Sequence, residues 1–179
     1  MSVGDVITNT QLNLLPIQIA RGYASAPAAS FDFTNLPTVF GSLLITVYAR
    51  GTLAALNDTL RIRFNNDSGA NYNFGYFRAM GAVVTGSSGG ATSAYLGDVP
   101  AATGAANYFG QVAAHITNYA SGANYKPMQS SNAMMDGTNV EEQNISGLWL
   151  STAGIARITI YCLGGNLDTD SLAMVYGLP

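Results

Sequence analysis

Apolar and polar side chains alternate with a period of two along most of this chain. In TLRIRF (59–64), Leu60, Ile62 and Phe64 fall on one side, with Arg61 and Arg63 on the other. ARITIYCLG (156–164) likewise sets Ile158, Ile160 and Cys162 against Arg157, Thr159 and Tyr161. A period of two belongs to a strand with one buried face, whereas an amphipathic helix repeats every three to four residues. Similar segments occupy 43–50, 71–80, 93–99, 109–119, 124–130, 145–151 and 171–177. Turn-forming clusters separate them: TGSSGGAT, AATGAAN, ASGAN, MDGTN, STAG and GGNLDTD. The one Ala-rich region, 101–114, is broken by Gly104 and Gly110, and the helix-surface residues Glu and Lys are nearly absent. Short, regularly spaced strands without helices predict an all-β fold. The expectation is an antiparallel β-sandwich or jelly roll of about eight to ten strands with an extended N-terminal arm.

A length of 179 residues suits one domain. Residues 1–30 differ in texture from the rest. An apolar patch at Leu12, Leu14, Leu15, Ile17 and Ile19 precedes a Pro/Ala/Ser-rich stretch. This segment is either a first strand plus linker or an arm laid along a neighbour, in which case those five residues form an interface. Residues 31–179 make up the sandwich domain.

Charge is scarce. Asp, Glu, Lys and Arg supply 9% of the residues, against about 25% in ordinary soluble domains, and Lys126 is the sole lysine. So neutral a surface lacks the charge repulsion and edge protection that keep β proteins apart; either it is covered by copies of itself or by a partner, or its Asn, Ser and Thr alone keep it soluble. A net charge of −3 and scattered arginines argue against nucleic-acid binding, which needs convergent cations. Apolar runs such as SLLITVY fall far short of a membrane span. MSVGDVITNT has neither the basic start nor the apolar core of a signal peptide, so synthesis in the cytoplasm without general secretory export is expected.

The stretch FNNDSGANYNF (64–74) concentrates side-chain oxygens around a glycine. An EF-hand loop needs Gly at position 6 and Glu at position 12. Begun at Asn65, those positions are Ala70 and Tyr76; begun at Asp67, they are Tyr72 and Arg78. Both registers fail, leaving an irregular calcium site at Asn65, Asp67 and Asn71 as the alternative to a plain turn. Asn, Asp and Gly tolerate the left-handed backbone of tight connections. The expectation is a hairpin tip, with Asn65, Asn66, Asp67, Asn71 and Tyr72 as an exposed contact loop.

No other motif specifies a chemistry. GSSGG (86–90) matches the G-x-S-x-G elbow, with Asp98 and His115 following in triad order, but no helix follows the serine. His115 is the only histidine, so no histidine-based zinc site can be built. Glu141 and Glu142 are adjacent and on a strand point to opposite faces; Asp168 and Asp170 lie in a turn-like stretch. Cys162, the single cysteine, sits in an apolar strand pattern and reads as a buried thiol. Tyr72, Phe74, Tyr76 and Phe77 share one strand; they serve either packing or stacking on sugar rings. No catalytic residue, cofactor or metal is expected.

Four cues together are distinctive: LRIRFNNDSGANYNF, read as a hairpin; the GDVPA segment, read as a turn; the W-x-S-T-A-x-I-x-x-I-T approach to a strand; and a terminal S…YGLP. Over roughly residues 43–179 the chain resembles small β-sandwich virion proteins of tailed bacteriophages, either capsid decoration modules or tail-fibre and tail-tip modules. The resemblance implies a non-enzymatic structural protein of the virion, often a homotrimer, partnered by the major capsid protein or other virion proteins. It favours a cement protein that binds between capsomers. The alternative is a tail-fibre, adaptor or receptor-binding tip that contacts host surface glycans.

Overall fold

The computed structural model describes residues 15–179. They form twelve strands in two antiparallel sheets, with no helix among the described residues. The strands are β1 (Ile17–Tyr23), β2 (Phe31–Phe33), β3 (Ser42–Ala49), β4 (Asn57–Phe64), β5 (Tyr72–Met80) and β6 (Val83–Ala91), followed by β7 (Ala94–Pro100), β8 (Gly110–Thr117), β9 (Lys126–Met135), β10 (Val140–Trp149), β11 (Ile158–Cys162) and β12 (Leu172–Leu178). The large sheet runs β1-β12-β3-β8-β9-β10-β5-β6 and the small one β2-β11-β4-β7. The all-β sandwich is therefore the observed architecture.

The core lies where the alternating faces meet. Leu43, Ile45 and Val47 of β3 and Val112, Ala114 and Ile116 of β8 point inward from the large sheet. Leu60, Ile62 and Phe64 of β4 and Ile158, Ile160 and Cys162 of β11 meet them from the small sheet. Burying each large aliphatic side chain contributes about 1.5–3 kcal/mol.

All nine segments expected to be strands are strands. Two strands are additional to those nine and to β1. β2 has only three residues, too few to show a period. β6 corrects the reading of TGSSGGAT as a turn. Gly and Ser are poor strand formers, but β-propensity yields to context, and β5 pairs with β6 in unbroken register from Met80↔Val83 to Tyr72↔Ala91.

Two further readings change. β4 belongs to the small sheet and β5 to the large one, so the 64–74 stretch is a crossing between sheets and not a hairpin tip. Asn65 and Asn66 both take left-handed backbone there, with φ of 51° and 59°. GDVPA is not a turn: its first four residues are the end of β7, bulged against β4 near Leu60, and Ala101 follows the strand. Gly97 has φ 140°, and a Cβ there would lie 2.6 Å from Cβ of Asn132. That close approach has a use. Asn132 Nδ2 donates to the Asp98 carbonyl at 2.6 Å and Ser130 Oγ to the Leu96 carbonyl at 2.9 Å, so side chains of β9 satisfy backbone groups of an edge strand.

At the other end of the chain, β1 pairs with β12 as an edge of the large sheet. Leu15 and Ile17 are exposed, while Ile19 packs partly against the core. Leu12 and Leu14 lie outside the described residues.

Candidate functional site

Since alternate residues of the large sheet are buried, the others form its outer face. Across β8, β9, β10, β5 and β6, one row reads His115, Gln129, Ser146, Gly75 and Ser88. The next reads Ala113, Ser131, Asn144, Phe77 and Gly86. Small residues in these rows leave two open depressions, of about 540 Å³ around Gly75, Phe77, Gly86 and Ser88, and about 320 Å³ around Leu44, Ala113 and His115. Gln129 and Asn144 line both. Their side chains are exposed, as are Ser131 and Ser146, and Phe77 is 74% exposed at the rim. No Asp, Glu, Lys or Arg lines either depression. His115 Nε2 lies 3.0 Å from Ser42 Oγ. Nothing in the sequence singled out Gln129 or Asn144, because each is one polar residue among many until the sheet order aligns them.

The expected contact loop is largely turned inward. Asn65 Oδ1 accepts from the backbone N–H of Ala156 and Arg157 at 2.9 and 3.0 Å, while its Nδ2 donates to the Gly154 carbonyl at 2.8 Å. Asp67 accepts from Trp149 Nε1 at 2.7 Å, Asn71 Nδ2 at 3.0 Å and Gly69 N–H at 2.9 Å. Burial raises the Asp67 pKa, but these donors outweigh it and hold the carboxyl below its ordinary value. Tyr72 is the plain correction: it is fully buried against Phe64 and Trp149. Its hydroxyl donates to the Asp67 carbonyl at 3.1 Å and accepts from Phe64 N–H at 3.0 Å, and burial pushes its pKa up to about 12. Asn66 and Asn71 remain exposed. A cation at Asp67 would meet N–H donors where it needs oxygen, so the calcium alternative does not fit.

The catalytic motifs come apart in space. Ser88 and His115 stand in one row but four strands apart, roughly 19 Å at about 4.8 Å per strand, and Asp98 is buried on β7 of the other sheet. Glu141 is buried and Glu142 exposed, on opposite faces as expected. Asp168 lies 3.8 Å from Arg50 Nε, and Asp170 accepts from the Tyr23 hydroxyl. The Cys162 thiol is buried, which together with the nearby Asp58 pushes its pKa up to about 12. Lys126 is buried as well, its ammonium donating to the carbonyls of Asn124 and Thr152.

One buried polar cluster carried no sequence signal. Gln143 Nε2 donates to Asp98 Oδ2 at 2.8 Å and to Glu141 Oε1 at 2.5 Å, and Tyr95 donates to Gln143 Oε1. Arg78 Nη1 lies 3.6 Å from Asp98 Oδ2 and 3.8 Å from Glu141 Oε2. Burial, and then the negative charge of Asp98, push the Glu141 pKa up to about 7. Both carboxylates are buried between the sheets, Glu141 0% exposed and Asp98 7%.

No known protein family and no curated protein matches the chain. Among solved structures it is similar to the exo-inulinase of Aspergillus awamori, with 10% identity and a TM-score of 0.41 over 90% of this chain and 29% of that one. It is also similar to the galectin LEC-6 of Caenorhabditis elegans, with 12% identity and a TM-score of 0.35 over 87% of this chain and 94% of that one. The chain thus spans less than a third of the inulinase. At such identities and scores, nothing about function passes from either protein to this chain.

Proposed function

We propose that this chain is a non-enzymatic structural protein of a bacteriophage virion, a capsid decoration or cement module that assembles with copies of itself. The observation that carries this reading is the pair of edge strands of the large sheet, of which β6 has no charge along its whole length. At one edge, Leu15 just before β1 and Ile17 within it are 44% and 47% exposed, and Arg21 is the one charge on the strand. At the other, β6 offers nine residues without charge or proline, with Val83 and Val84 exposed. Natural edge strands are normally blunted by charge, proline or cover, since their open backbone groups template pairing. Along β6 the blunting is left to partners.

In this reading β6 is the self-association edge, in a homotrimer on the resemblance. The β1 edge docks between capsomers, where apolar burial contributes about 25 cal/mol per Å² before ordering costs. Repetition over the particle multiplies a modest contact by avidity. Mass spectrometry of purified particles tests the location: a decoration protein reaches a copy number comparable to the major capsid protein, whereas a chain absent from particles is no virion component. For the edge, Val83→Lys with Ser87→Lys should shift the sedimentation equilibrium toward monomer by at least about tenfold in dissociation constant, the effect of roughly 1.4 kcal/mol. A monomeric wild type, or an unchanged oligomer, removes β6 from the account.

A place at the tail, touching host glycans, is the second reading. The uncharged lining of the two depressions favours it, and low copy number in particles would identify it.

A further inference from the structure

We infer that the two depressions on the outer face of the large sheet form one binding trough for a neutral oligosaccharide. The inference rests on the reading of the chain as a module at the virion surface, on head or tail, and assigns that surface a ligand. The argument is one of chemical matching. Gln129 and Asn144 stand between the depressions and line both. Each primary amide offers two N–H donors and a carbonyl acceptor, and the hydroxyls of Ser131, Ser146 and Ser88 both donate and accept. A sugar ring presents the same mixed pattern from vicinal hydroxyls. Phe77 rises at the rim with 74% of its surface exposed, directly across from Asn144 in the strand register. Its ring supplies an apolar platform for the C–H face of a pyranose beside the amide that reads the hydroxyls.

Other occupants match less well. An anionic glycan, a phosphate or a nucleic acid needs cations, and neither depression has a Lys or Arg in its lining. A peptide adding a strand uses a sheet edge and not a face. A second copy of the chain seeks an interface core that is more apolar than average; Phe77 is the one large apolar side chain of this lining that stands exposed, and a second copy on the face is an outcome of the test below. Volumes of about 540 and 320 Å³ lie in the range of small-ligand sites, about 300–1,000 Å³, and their shared wall suits consecutive sugar units. The scaffold is also rigid: Gln129 and Asn144 project from β9 and β10, central strands hydrogen-bonded on both sides. Pairing along β6 would leave the trough open, so an assembled particle would display many copies and gain by avidity.

Nuclear magnetic resonance titration of the full chain tests this. The probes are maltohexaose, a β-galacto-oligosaccharide and chitotetraose, with sialyllactose as the anionic comparator. At least one neutral probe should shift the side-chain amide signals of Gln129 and Asn144 saturably, and sialyllactose should not bind more tightly. Phe77→Ala and Asn144→Ala should each weaken that binding about tenfold or more, which is about 1.4 kcal/mol, while Phe77→Tyr keeps it. Absence of saturable shifts with every neutral probe overturns the proposal. So does tighter binding of sialyllactose, or shifts of the same signals on raising protein concentration alone, which would place a second copy on the face. Binding by a chain absent from purified particles would retain the trough and sink the virion reading; presence in particles without binding would do the reverse.

Discussion

Replacing Arg78 with methionine should destabilise the fold by about 3 kcal/mol at pH 8 and by less than half of that at pH 5. Arg78 is the one cation within salt-bridge distance of Asp98 and Glu141 among the described residues. Removing one partner of a buried ionic group costs about 3–5 kcal/mol, because uncompensated charge stays behind. The lower end applies, since 29% of the Arg78 side chain is exposed and water screens part of the interaction. The pH dependence follows from Glu141. Its folded pKa of about 7 lies above the unfolded value of about 4.3, so the folded state binds the extra proton between those limits. The contribution of Glu141 is therefore most favourable below about pH 4, and stability falls as pH rises toward 7, by at most about 1.4 kcal/mol per pH unit. At pH 5 the carboxyl is already protonated and Arg78 has one charge fewer to balance. Urea midpoints for wild type and variant at both pH values measure this, with m expected to stay constant. An equal loss at pH 5 and pH 8 would show that Glu141 does not carry the extra proton.

The second large effect belongs to Asp67. Asp67→Ala should lower stability by about 2–4 kcal/mol, because hydrogen bonds to a charged group are worth about 1.5–3 kcal/mol each and a buried donor left alone adds its desolvation penalty. The donor at stake is Trp149 Nε1, and Trp149 itself stacks with Tyr72 and packs on Phe64. Asp67→Asn, which keeps an acceptor but not the charge, should recover about half of the loss. Calcium or a chelator should leave the wild-type midpoint unmoved. A calcium-dependent rise in the midpoint would restore the metal reading of this loop. Because the folded pKa of Asp67 is depressed, its contribution is complete above the ordinary carboxylate range and is lost as pH falls through the folded pKa, a window separate from that of Glu141.

These two sites show how differently legible the molecule was. The Asn-rich stretch at 64–74 announced a tight connection, and Asn65 and Asn66 do take the left-handed backbone that their side chains tolerate. Its destination was not legible. A turn between strands of one sheet and a crossing between sheets have the same local chemistry, and the choice was made by Trp149, Gly154 and Arg157, more than eighty residues away in the chain. The cluster around Glu141 left no trace at all. In VEEQNIS the acidic and amide residues look like one solvated run, yet Glu141 and Gln143 face the core while Glu142 and Asn144 face out. Polar residues on both faces erase the contrast on which periodicity depends.

Alternation of apolar residues, a local property set by the pleat of the backbone, by itself determined that this chain is all-β, where nine strands run, and the buried faces of β4 and β11. Pairing, sheet membership and the outer face are non-local. They depend on which strands lie side by side, and only the tertiary structure decided that Gly- and Ser-rich β6 would pair with aromatic β5. It alone also decided that Asp98 would be drawn beneath β9 and β10, and that Gln129 and Asn144, fifteen residues apart, would stand together over one trough.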